Sequence, residues 1–127
     1  MLIILCLGIG SNLFATNCTV TYVWPVAGAT PPTAAQAARH NSVVVDIAYL
    51  AGDASCVITH NMQLPNATGL NGIPKITWFA TAVGTAAVMP FFAFTSATTI
   101  TADKVSTAAN TGMTVRVHIE RPAGVVK

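Results

Sequence analysis

At 127 residues with a formal net charge of +2, the chain has room for one domain with a real hydrophobic core. The basic excess is too small for a nucleic-acid binder, and Lys75, Lys104, Arg116, Arg121 and Lys127 are scattered rather than clustered. Charged residues make up 8% of the chain and hydrophobic ones 53%, against about 25% charged in ordinary soluble domains. Between Asp53 and Asp103 the only charge is Lys75. Such a surface lacks the charges that normally block edge pairing, which points to assembly with another chain.

The opening MLIILCLGIGSNLFA resembles the apolar region of a signal peptide followed by a small residue, Ala15. No Lys or Arg precedes the apolar run, and Leu13 stands where a small residue is expected. The run is also too short to span a bilayer. The expectation is therefore an apolar N-terminal arm or strand over 1–18, with a cleaved secretory signal as the alternative, followed by one domain over 19–127.

Thr19 to Trp24 (TVTYVW) alternates Thr with larger residues and stops at Pro25, as a strand does. After Pro31-Pro32, the run Thr33 to His40 is the one helix candidate, with Thr33 as N-cap and an end near Asn41. Ser42 to Leu50 is β-branched and long; AGDAS supplies turn residues, and Ser55 to Met62 follows. These two runs are predicted to form an antiparallel hairpin. Gln63 to Pro74 carries Gly, Asn and Pro in the density of a long loop.

KITWFAT, VMPFFAFT, ATTITADKV and MTVRVHIE complete the chain as further strands. Pro90 has no N–H to donate, so its strand should lie at an edge or carry a bulge. In the last strand Val115, Val117 and Ile119 face one way, while Thr114, Arg116, His118 and Glu120 face the other. That polar row is either a solvated face or a contact face toward a partner. The fold class expected is all-β: a single-domain antiparallel β-sandwich or barrel of about seven short strands, with an N-terminal arm and at most one short helix.

Converging catalytic groups are not legible. Asp53 and Asp103 fit turns or strand ends, and Asp46 among valines calls for a salt bridge or an outward position. His40, His60 and His118 form no metal-type spacing. CVITHNM, residues 56–62, places Cys56 and His60 on one face of a strand but about 13 Å apart, beyond hydrogen-bond reach. His60 and Asn61 are expected instead to anchor the following loop through backbone hydrogen bonds. Cys6, Cys18 and Cys56 form no CxxC; three small thiols are expected, although one disulfide of unspecified pairing is possible. No phosphate-binding glycine motif occurs. The chain is not expected to be an enzyme or to carry a cofactor.

The order TVTYVWPVAG, TPPTAAQAARHNSVVVDI, AGDASCVITHNMQLP, closing on RVHIERP, resembles small virion structural proteins of tailed bacteriophages. The likeness covers residues 19 to 65 best and the closing strand less closely. It implies a head decoration or cement protein on the capsid surface, reinforcing the lattice. Its partners would be the major capsid protein and other copies of itself, as a homotrimer or another homo-oligomer, with no direct nucleic acid, membrane or small-molecule substrate. The candidate contact residues are Leu2, Ile3, Ile4, Leu5 and Phe14 of the arm; Pro25, Pro31 and Pro32; Leu64, Pro65 and Leu70 of the long loop; and Arg116, His118 and Glu120. Alternatives are a tail-tube or fibre-associated β-domain and a secreted bacterial β-sandwich binding protein with a cleaved signal.

Overall fold

Val43, Val45, Ile47 and Tyr49 are buried while the residues between them are partly exposed, so strand β2 (Ser42–Tyr49) turns every second side chain inward. In the computed structural model it is paired on both sides, with β1 (Cys18–Trp24) and with β7 (Met113–Glu120). The structure describes residues 18–49, 54–64, 74–82, 90–104 and 113–122. Strands β3 (Ala54–Thr59), β4 (Lys75–Ala82), β5 (Pro90–Phe94) and β6 (Thr99–Lys104) complete a set of seven among the described residues. They form two antiparallel sheets, in the orders β1-β2-β7-β4 and β3-β6-β5. The expected all-β single domain is therefore the fold.

The predicted hairpin between the runs at 42–50 and 55–62 is not formed. β2 has no free edge, because β1 and β7 occupy both of its sides, and β3 pairs instead with β6 in the other sheet. The period-two alternation of a strand is the same whether its successor joins the same sheet or crosses to the facing one. Pro90, by contrast, opens β5 at an edge of its sheet, as its missing N–H requires.

The core lies between the sheets. β2 and β7 supply Val43, Val45, Ile47, Val115, Val117 and Ile119, and the facing sheet supplies Cys56, Ile58, Ile100 and Ala102. Two buried tyrosines tie the layers. The Tyr49 hydroxyl donates to the Ala102 carbonyl at 3.0 Å, and the Tyr22 hydroxyl accepts the Thr59 N–H at 3.0 Å. Burial raises the pKa of both phenols, so each stays protonated.

Helix α1 (Ala34–His40) has the expected cap. The Thr33 hydroxyl accepts the Gln36 N–H at 3.3 Å, and the Gln36 carboxamide accepts the Thr33 N–H at 2.8 Å, a capping box. Asn41 ends the helix at φ 57, a left-handed position that Asn tolerates. Ala37 packs on the core. Before the helix, Gly28 at φ 128 pairs its backbone with Tyr22, so the chain after β1 folds back on that strand's outer side.

The expectation of three thiols is corrected for two of them: Cys18 and Cys56 form a disulfide, with Cα atoms 6.3 Å apart. Cys18 opens β1 and Cys56 lies in β3, strands that face each other across the two sheets. Their separation of 38 residues shows nothing of this; the facing of the two edges creates the pair. Cys6 and the rest of the apolar arm lie outside the described residues, as do Pro65 and Leu70.

Candidate contact face on the four-stranded sheet

The outer face of the larger sheet is set by register. One row runs Trp24, Val44, His118, Thr77 across β1, β2, β7 and β4; the next runs Thr21, Asp46, Arg116, Phe79. Each row spans about 14 Å at ordinary strand spacing. Trp24 is 46% exposed and Phe79 51%, so an aromatic ring stands near each end of the face. Large exposed aromatics on a rigid sheet are the side chains that anchor protein interfaces.

Both rings are held by neighbours. Trp24 meets His40 edge-on at the end of α1, with centroids 4.9 Å apart, and Phe79 lies 6.5 Å from the His118 ring. Between them Arg116 binds Asp46 through two parallel bonds, Nε to Oδ1 at 2.7 Å and Nη2 to Oδ2 at 2.8 Å. The pair is cross-strand, since Asp46 and Arg116 are register partners on β2 and β7. The Asp46 carboxylate, by hydrogen bonding and then by charge, raises the Arg116 pKa further. Thus the mid-strand acid has the salt bridge that its apolar setting demands.

Arg116, His118 and Glu120 share this face, and Glu120 lies opposite Lys75 and Ser42 at one end of it. Pro25 and Pro31 are half-buried, whereas Pro32 and Leu64 are buried. The backbone of Pro32 accepts the Asn61 side-chain N–H at 2.7 Å, and the Leu64 N–H donates to Ala97 at 2.9 Å, so both residues serve internal packing. Leu2, Ile3, Ile4, Leu5, Phe14, Pro65 and Leu70 fall outside the described residues. Trp24 and Phe79 were not among the residues singled out from the sequence. Trp78 and Phe79 are adjacent and must face opposite ways, but only the pairing of β4 with β7 shows which one is outside.

The segment CVITHNM has a different role. Cys56, Ile58, His60 and Met62 are all buried, with Val57, Thr59 and Asn61 on the other side. The His60 and Asn61 backbone N–H groups both donate to the Thr98 carbonyl, at 2.8 and 3.1 Å. His60 Nδ1 accepts the Met62 N–H at 3.1 Å, and the Arg121 guanidinium donates to the Met62 carbonyl and to Asn41 Oδ1. Burial first, and then the positive charge of Arg121, lower the His60 pKa to about 4. The imidazole is thus a neutral acceptor inside a knot joining the ends of β3 and β7 to α1 and the start of β6. Among the described residues no carboxylate is bonded to it, and none of their His, Cys, Asp and Glu side chains form a group able to hold a metal ion.

Compared with protein-family models, curated proteins and solved structures, the chain matches none.

Proposed function

We propose that this chain is a structural protein of a tailed-phage virion, a capsid decoration protein that binds the outer face of the head lattice and stabilises it. The observation that carries a protein-binding reading is the outer face of the four-stranded sheet. Trp24 and Phe79 stand exposed on it, with the Arg116–Asp46 pair fixed between them. An interface core of aromatic anchors beside a preorganised arginine needs little side-chain ordering on binding. The resemblance of residues 19 to 65 to phage virion proteins supplies the partner, a capsid subunit. Each contact is modest, and repetition over a closed lattice multiplies its strength.

The test is particle occupancy. Virions assembled with Trp24→Ser/Phe79→Ser protein should lose most of the decoration seen by electron microscopy, while circular dichroism of the purified variant stays unchanged. Full occupancy by that variant, or location of the protein on the tail, sinks the proposal.

A second reading, a secreted bacterial β-sandwich binding protein, is favoured by one observation, the Cys18–Cys56 disulfide, which suits an oxidising compartment. Virion surfaces meet the same condition. Intact mass of the mature chain separates the two: loss of residues 1–15 supports secretion, and retention supports the virion.

A further inference from the structure

β4 is the outermost strand of the larger sheet, and among the described residues it pairs only with β7. It runs for eight residues with no proline and with one charge, Lys75, at its first position. Native edges are ordinarily shortened, charged, bulged or covered to stop further pairing. The bulge between Ala80 and Ala82 disturbs only the last turn of this one.

The apolar side chains behind that edge are incompletely covered. Ile76 and Trp78 of β4 and Phe92 and Phe94 of β5 pack against the core yet remain partly exposed. Ala80 continues the inward alternation and is exposed. β5 is likewise the last strand of its sheet. Both sheets therefore end on this side, among the described residues, with large apolar groups partly exposed, which is where an added strand would bury them.

We propose that this open edge, between β4 and β5, receives residues 2–14 of a second copy of the chain as an added strand. The occupant has the required chemistry. LIILCLGIGSNLF holds no charge and no proline, and its thirteen residues exceed the eight needed to match β4.

The point of departure selects a second copy over the chain's own segment. β1 begins at Cys18, which the disulfide pins to β3 at the opposite edge of the sandwich. That edge lies three strand positions, about 14 Å, from β4. By register, Cys18 sits at the same end of the sheet as Tyr49, Ala82 and Met113. A chain folding back on itself would have to pass the ends of β2 and β7 to reach β4; a neighbouring copy does not. Donor and acceptor edges on opposite sides make the contact head-to-tail, so it repeats from copy to copy. The scarcity of surface charge agrees with such an assembly. Self-association of this kind is independent of capsid binding and is read on purified protein without capsids, so either idea can fail alone.

The experiment uses Cys6, the thiol outside the disulfide, against an Ala80→Cys variant of the full chain under mild oxidation. Dimers and a ladder on a non-reducing gel are expected, and they should vanish when Cys6→Ser is added. In sedimentation the full chain should run as an oligomer, while deletion of residues 2–14 and, separately, Ala80→Lys should each return it to the mass of one chain with an unchanged circular dichroism spectrum. A cross-link confined within single chains, a monomeric full-length protein, an oligomer that survives the deletion, or a mature chain lacking residues 1–15 would each overturn the proposal.

Discussion

At the β1/β3 side of the sandwich, the Cys18–Cys56 disulfide and the Tyr22 hydroxyl both cross from one sheet to the other, and Gly28 pairs against the outer side of β1. At the β4/β5 side, among the described residues, no hydrogen bond or disulfide crosses, and Ile76, Trp78, Phe92 and Phe94 are partly exposed, as Cys18 and Val20 are at the other side. The strands at both sides are short and apolar-alternating, so strand composition does not distinguish them. What differs is whether a directional tie closes the layers. A sandwich held firmly along one side can leave the other available for a partner without losing its fold, because the disulfide and the buried core hold the layers in register.

The largest expected effect lies at the closed side. Replacing both Cys18 and Cys56 with Ala removes a link across 38 residues, worth about 4 kcal/mol by loop entropy. Denaturant titration of this variant should show a loss of that order, and wild-type protein should lose as much on adding reductant. A loss near zero would mean that the core alone holds the two layers.

Acid acts on the same side, through His60 at the end of β3. Its folded pKa of about 4 lies below the ordinary 6.5, so the unfolded chain takes up a proton first as pH falls. Above 6.5 both states are neutral at this site and stability is unaffected. Between about 6.5 and 4 it should decline by about 3 kcal/mol in total, then level off. Denaturation midpoints across that range, compared with those of His60→Gln, isolate the histidine's share; an equally steep decline in the variant would assign it elsewhere.

Tyr22→Phe leaves the Thr59 N–H without its acceptor, at a cost of about 1–3 kcal/mol, readable as a lowered Tm. At the open side Ala80→Lys should change the stability of the isolated chain by no more than about 0.5 kcal/mol, as exposed substitutions do. A large loss there would show that the β4 edge is tied into the fold after all.

The alternation in MTVRVHIE identified the face bearing Arg116, His118 and Glu120, and Asp46 announced its need for a counter-charge. Neither reading identified the other's residue as the partner, because Asp46 and Arg116 are 70 positions apart and meet only when β2 pairs with β7. The hairpin predicted after β2 failed for the same reason. Local pattern tells a strand which side is apolar and says nothing about which strand lies beside it.

By itself, then, the amino-acid sequence determined what local physics controls. The strands, the capped helix at Thr33, the edge or bulge at Pro90 and the two faces of CVITHNM all follow from side-chain period, proline's missing donor and short-range hydrogen bonds. Tertiary structure decided everything that depends on two distant segments meeting: the disulfide, the sheet to which β3 belongs, the outward turn of Trp24 and Phe79, and the contrast between a tied edge and an open one. Those outcomes depend on strand pairing across the core, where the free energy of burial is shared among residues that no local window contains.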